Sequence, residues 1–281
     1  MDDSDIQAFW NAHPCGDSLV GGLARYGADY QAFFSTYDAF RYRSEHHILQ
    51  CLDQIPFAGK QVLEIGLGQG SDSEQIIRRG ADWSGLDLSD EAVTRVKARL
   101  ALHSLPFSSL LQGSVLDIPF PAKTFDIVFS HGVLHHVPSI TRAQRELHRV
   151  LKPSGELVVM LYAKRSLNYL ISIAVLRRMA LLILYYSRLD PGGICHQHLR
   201  NARATGLFQY LRLSSFIHRN TDGPLNPYSK VYDLAEVRKD FPGFAIVRSY
   251  KRFMHAPPLP VRWLPLQRLL GWHLWVHMKP V

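Results

Sequence analysis

Cysteine is scarce in this 281-residue chain: Cys15, Cys51 and Cys195 stand far apart and are odd in number. That argues against a disulfide framework and for a reducing compartment, so a cytoplasmic location is expected. No C-x-x-C pair exists, which removes the usual thiolate metal sites. Dense basic runs are missing as well. The formal charge is +8 and the pI about 9.5, a balance that favours anionic partners. Yet Arg177, Arg178, Arg200, Arg203, Arg212 and Arg219 are scattered. A generic basic surface is expected, and a nucleic-acid site is not. The start, MDDSDIQAFW, is acidic and then aromatic, without the basic head and apolar run of an export signal. Internal repeats and low-complexity tracts are also lacking.

What is present is a well-supplied core, with 47% hydrophobic residues, and a regular alternation of short elements. Residues 1–58 read as a helical, aromatic-rich lid. QVLEIG (61–66) is a strand. Ser71 with Glu74 reads as a capping box opening a helix that Gly80 stops. ADWSGLD (81–87) is the next strand, and Ser89 caps a helix running to about His103. SSLLQGS (108–114), FDIVFS (125–130) and GELVVML (155–161) continue the strands, with a helix over 141–151. This order predicts a doubly wound parallel sheet with helices on both faces. The alternation breaks over 163–231, read as a helical insertion, and resumes over 232–281 with FAIVRSYKRF (244–253) and WHLWVHM (272–278) as strands. Residues 59–162 and 232–281 would together form the core.

VLEIGLGQG (62–70) ends a buried strand in three glycines, Gly66, Gly68 and Gly70. A loop stripped of side chains at the carboxyl edge of such a sheet lets a ligand approach the backbone. Asp87 closes the second strand, where a carboxylate accepts hydrogen bonds from both hydroxyls of a ribose. Together they point to an adenosine-containing ligand. The spacing G-x-G-x-G, with Glu64 ahead of it, differs from the G-x-G-x-x-G of a dinucleotide site.

VLEIGLGQG, GLDLS (85–89), SVLDIPFPAKTFDIVFSHGVLHHV (114–137) and RVLKPSGELVVM (149–160) closely resemble class I S-adenosylmethionine-dependent methyltransferases, most of all the ubiquinone/menaquinone-type and small-molecule branch. The resemblance covers about residues 60–162. It implies an α/β, Rossmann-like, seven-stranded sheet, mostly parallel with an antiparallel last strand. It also implies S-adenosyl-L-methionine as cofactor. By resemblance Glu64, Gly66, Gly68 and Gly70 belong to the cradle of its methionine and ribose parts, Asp87 holds the ribose and Leu88 lies against adenine. Ser114 or the backbone of Val115 replaces the acid that many members place near the adenine amino group. Ser130 and His131 line the methionyl side. From the lid, Tyr37, Arg41 and Tyr42 are candidates to close over the cofactor's carboxylate.

His131, His135 and His136 follow the fourth strand, where imidazole suits acid–base work. Local packing is the plainer reading; His131 or His135 as base or acceptor contact is the sharper one. His131 and His135 are spaced as a helical metal pair, but further ligands are missing and no metal is expected. CHQH (195–198) stands alone in the insertion. The segment 166–186 is apolar almost all round and divided by Arg177 and Arg178, so neither half reaches the ~20 residues of a membrane span. A buried cap helix pair, a lining for a lipid-like acceptor, and peripheral contact with a membrane all stay open. In the loop 218–232, His218, Arg219, Asp222, Asn226 and Tyr228 would meet a substrate if the loop returns over the sheet edge. The expected activity is methyl transfer to a small hydrophobic organic acceptor. An RNA methyltransferase and a non-catalytic cofactor-binding protein are the alternatives, and a homo-oligomer built by exchange of the lid is open.

Overall fold

The computed structural model describes residues 3–27 and 29–281. Seven strands, β1 (Gln61–Ile65), β2 (Asp82–Asp87), β3 (Ser109–Gln112), β4 (Phe125–His131), β5 (Leu151–Tyr162), β6 (Phe244–Arg252) and β7 (His273–Pro280), form one sheet. Their order is β3-β2-β1-β4-β5-β7-β6. β7 runs antiparallel to both of its neighbours, and the other pairings are parallel. The α/β sheet expected from the sequence is therefore present. The reversal of strand order between β1 and β4 opens a crevice at the carboxyl edge.

Side chains alternate across this sheet as a period of two requires. Leu63 and Ile65 of β1, with Leu157, Val159 and Leu161 of β5, join one buried layer. Val62, Val158 and Met160 point to the other, with Trp83, Phe129 and Trp275. β5 starts earlier than expected. Leu151 already pairs with Phe125, and a register shift between Phe125 and Ile127 lets the KPSG turn bulge before regular pairing resumes at Glu156.

Two local expectations are corrected. The helix Ser71–Arg78 has Gly70 as its cap in the left-handed conformation, and no side chain caps it. Ser71 donates instead to Asp38 of the N-terminal region, while Glu74 pairs with Arg78 and Arg99. A capping box does exist at Asp233 and Glu236, opening the helix Leu234–Asp240. The second correction concerns 166–186. The segment is one continuous helix, Asn168–Ser187, π-wound to Arg177 and α-helical from Arg178. Its arginines do not divide it, because Arg177 turns inward and donates to the Asn220 carbonyl at 2.8 Å. Nor is it a buried pair. The helix has mean hydropathy 1.6, is long and apolar enough to cross a membrane by length and composition, and has only 17% of that stretch buried. Ile173 and Leu181 anchor it to a separate cluster with Leu199, Tyr210, Phe216 and Trp272.

The helices Asp3–Ala12 and Tyr30–Ser44 lie over the sheet's carboxyl edge. Two core arginines one helical turn apart hold the N-terminal region down. Arg95 donates to Asp17 at 3.0 Å. Arg99, fully buried, donates to Asp38 at 2.7 Å and to Glu74 at 2.9 Å. Arg99 also lies 4.2 Å from the centre of the Phe34 ring. Such charges survive burial only when paired this completely.

Candidate functional site

A cavity of about 150 Å³ opens where β1, β2, β3 and β4 end, and the two N-terminal helices roof it. Its floor is the glycine loop. Gly66 has φ +78°, and a Cβ there would lie 2.1 Å from Val133 Cγ2, so only glycine fits. At Gly68, φ +54°, the nearest atom to such a Cβ is Cys15 Cβ at 3.7 Å. That leaves open the close approach a ligand needs.

Asp87 stands at the end of β2 in the cavity wall. Its Oδ2 accepts from the Leu67 N–H at 2.6 Å and its Oδ1 from the Ser89 N–H at 2.8 Å. Each carboxylate oxygen retains a lone pair, so a fixed, two-toothed acceptor faces the crevice. Burial raises the Asp87 pKa, and the surrounding backbone N–H groups oppose that shift. Leu88, Val115, Ile6 and Trp10 supply apolar wall. Gln7 of the lid donates to the Leu88 carbonyl at 3.1 Å and so ties the roof to this wall.

The opposite end is polar. Arg41 Nη2 donates to Asp72 Oδ2 at 2.6 Å, and His131 Nδ1 lies 2.7 Å from the same oxygen. A carboxylate cannot donate, so His131 Nδ1 carries the proton and two donors converge on one acceptor. Three buried atoms remain without partners here: Arg41 Nε, Asp72 Oδ1 and His131 Nε2. Burial works against the Asp72 charge, but the Arg41 guanidinium and the His131 ring hold its pKa below the usual range. Beneath them Glu64 accepts from Trp83 Nε1 at 2.8 Å. Burial and the nearby Asp72 charge push its pKa up to about 8.

The remaining expected cofactor residues divide between the cavity wall and positions off it. Tyr42 is outside the cavity wall, its hydroxyl donating to the Ser71 carbonyl at 3.0 Å; Tyr37 and Arg41 from the same helix do line the wall. Ser130 is fully buried and straps β4 to β1 through the Ile65 carbonyl at 3.1 Å. Gly70 packs against Val96 and Arg99 rather than facing the cavity. Ser114 lines the cavity, but its hydroxyl donates to Asp3 of the lid.

A second polar cluster adjoins the cavity through His136, whose ring meets Trp10 edge-on at 5.2 Å. The loop 218–232 does return here. Asp222 accepts from the Tyr162 hydroxyl at 3.0 Å and lies 3.3 Å from His136 Nε2. The Tyr228 carbonyl lies 2.7 Å from His136 Nδ1. His135 is fully buried against the Tyr162 ring, at 3.8 Å between centroids, and neither ring nitrogen has a partner. Burial drives its pKa well below the ordinary imidazole value. The other loop candidates serve the loop itself: His218 contacts Ser229, Asn226 donates to Thr221, and Arg219 donates to the Pro224 carbonyl. The spacing argument paired His131 with His135. In space His131 sits with Asp72 and Arg41, while His135 sits with its sequence neighbour.

Residues 63–159 match the family described as "Methyltransferase domain". A phthiotriol/phenolphthiotriol dimycocerosates methyltransferase of Mycobacterium tuberculosis is 34% identical over 104 residues, 36% of this chain and 37% of that protein. A fatty-acid O-methyltransferase of Mycolicibacterium smegmatis is 35% identical over the same share of each chain. Sterol 24-C-methyltransferase ERG6B of Gibberella zeae is 30% identical over 126 residues, 44% of this chain and 33% of that one. The aligned part thus spans little more than a third of the length of these curated relatives. Among solved structures, an S-adenosylmethionine-dependent methyltransferase from Mesorhizobium loti superposes with TM-score 0.53 at 17% identity, over 83% of this chain and 95% of that one. One from Aquifex aeolicus gives 0.53 at 16%, over 90% and 99%. Residues 63–159 thus resemble a methyltransferase domain, and the strand order is that of a fold shared with S-adenosylmethionine-dependent methyltransferases.

The solved structures named above are of S-adenosylmethionine-dependent enzymes, and the cavity here offers features complementary to that molecule. The fixed acceptor at Asp87 suits ribose hydroxyls, and the apolar wall at Leu88 and Val115 suits a base. The unpartnered Asp72 Oδ1 and Arg41 Nε match the ammonium and carboxylate of an amino-acid end.

Proposed function

We propose that this protein transfers a methyl group from S-adenosylmethionine to a small, hydrophobic, lipid-like acceptor. The observation that carries the proposal is the pair of complementary ends in one cavity: Asp87 at one, the unpartnered Arg41 Nε and Asp72 Oδ1 at the other. Bound there, the cofactor supplies an electrophilic methyl group on a sulfonium sulfur. Asp87 orients the sugar, while Arg41 and Asp72 fix the amino-acid end. His131 holds Asp72 in place through Nδ1. The Asp3–Ala12 helix brings Ile6 and Trp10 over the cavity and excludes water. In-line displacement asks chiefly for such alignment, which is worth several kcal/mol.

Three features support a hydrophobic acceptor. The wall toward His136 is formed by Trp10, Val133 and Val137. The relatives are named for a phthiotriol lipid, a fatty acid and a sterol. The Asn168–Ser187 helix and the turn after it expose Met179, Ile183, Tyr186 and Leu189, and the next helix, Gly193–Thr205, exposes Ile194. Exposed Arg188, Arg200 and Arg203 lie close by in sequence. An apolar face with a cationic border suits peripheral contact with an anionic membrane, from which a lipid acceptor would be drawn. Free cysteines accord with a reducing, cytoplasmic setting.

The test is incubation with methyl-labelled cofactor and an organic-soluble metabolite extract. Label should enter the organic phase, and more of it when anionic lipid vesicles are present. Tight cofactor binding with no label in any organic product would refute the transfer.

A further inference from the structure

One ligand atom from each of His135, His136 and Asp222 lies within 4.8 Å of the others. We propose that these three residues bind a single divalent transition-metal ion beside the cofactor cavity.

The tautomer of His136 carries the first part of the argument. Its Nδ1 lies 2.7 Å from the Tyr228 carbonyl, which can only accept, so Nδ1 bears the hydrogen. His136 Nε2 then faces Asp222 Oδ2 at 3.3 Å, an imidazole nitrogen against a carboxylate oxygen. Such a pair is held by a positive charge between the two atoms, either a proton on the ring or a bound metal ion. Metal–nitrogen and metal–oxygen bonds of ~2.1 Å at a tetrahedral angle place the two atoms roughly 3.4 Å apart, close to the observed separation.

His135 is the second, independent observation. It is fully buried, and neither Nδ1 nor Nε2 has a partner. An imidazolium–carboxylate pair would account for His136 and Asp222 but would leave His135 unsatisfied. A metal ion would engage all three, once ligand atoms now within 4.8 Å of one another close on it. The surroundings also have the form of a metal site's outer layer. A ligating histidine usually gives its other N–H to a carbonyl, as His136 does, and a ligating carboxylate is usually held by a donor, as the Tyr162 hydroxyl holds Asp222 at 3.0 Å.

Two imidazoles and one carboxylate favour a borderline ion such as Zn²⁺, Fe²⁺ or Co²⁺ over Mg²⁺ or Ca²⁺. Three protein ligands leave at least one coordination position open. Because His136 lines the cavity, that position would take an oxygen of the acceptor, a hydroxyl or carbonyl; this last assignment rests on the methyltransferase reading.

Full-length protein, stripped with a chelator, would be titrated with Co²⁺ alone and followed by absorption. One equivalent should produce the visible bands of four- or five-coordinate cobalt, and Zn²⁺ should displace it. Asp222→Asn should weaken Co²⁺ binding at least ~100-fold, and Tyr162→Phe ~10-fold with altered bands. Asp222 lies in a partly exposed loop, so its variant should keep the unfolding temperature of the parent. His196→Gln/His198→Gln removes the competing imidazoles of CHQH and should leave the bands unchanged. No bands at stoichiometric Co²⁺, or bands that survive Asp222→Asn, would overturn the site. Cofactor affinity measured on the same protein separates the two readings. Cofactor binding without cobalt bands refutes the metal and spares the methyltransferase. Cobalt bands without cofactor binding do the reverse.

Discussion

The glycine-loop rim and the Asn168–Ser187 helix solve opposite problems. At the rim almost every polar atom is fixed by a neighbour, and the exceptions gather where a ligand would supply the partner. On the helix, large apolar side chains face outward with nothing among the described residues to cover them. Rigidity at the rim is backbone-made and position-specific. The helix is tied down by a few inward residues and otherwise offers area. The contrast teaches that the two regions should answer to different perturbations, the rim to single atoms and the helix to summed surface.

Gly66→Ala tests the rim hardest. A Cβ 2.1 Å from Val133 at φ +78° should cost about 3 kcal/mol or more of folding stability. A chemical-denaturation midpoint equal to the parent's would show that the loop is not rigid. Asp87→Ala comes next, with a loss of ~10–100-fold in cofactor affinity, or about 1.5–3 kcal/mol. Calorimetry finding unchanged affinity would remove Asp87 from the ribose.

Glu64 gives the comparison a pH axis. With its folded pKa at about 8 against an ordinary 4.5, the native state holds the extra proton between those values. The stability it contributes is complete below the lower value and is lost as pH rises toward the upper one. The slope is at most about 1.4 kcal/mol per pH unit. Glu64→Gln should flatten that slope in unfolding curves taken across the window. The smallest expected effect lies on the helix. Ile183→Ser should change stability by no more than about 0.5 kcal/mol, yet lower retention on anionic vesicles. Equal retention of parent and variant would leave the exposed face without a lipid role.

The same division explains what could be read in advance. The strands and their parallel pairing followed from short apolar runs at regular spacing, and the cavity from Gly66, Gly68 and Asp87, because these residues are fixed by local backbone geometry. Asp72 and Arg41 were harder. Their partnership spans 31 residues and depends on how the lid docks, which no periodicity records. Ser71 shows the converse: its spacing to Glu74 suits a capping box, but buried Arg99 and the lid's Asp38 claim both side chains. Tyr42 lies off the cavity for a related reason, since one residue along the helix, about 100° of rotation, separates facing the cavity at Arg41 from facing Ser71. Asp222 was among five candidates in its loop, and only the fold could show that it alone of their side chains reaches His136. The outward apolar face of the 168–187 helix has no local signature either, because a helix apolar all round is ordinarily buried.

The arginine clamp on the roof has a kinetic consequence. Arg95 and Arg99 belong to the core, whereas Asp17 and Asp38 belong to the N-terminal region that covers the cavity. Lifting that roof from the core parts charges from their partners, and at Arg99 the cation is fully buried. Salt screens such a pair far less than an exposed one. The residence time of whatever occupies the cavity is therefore governed by contacts that never touch it.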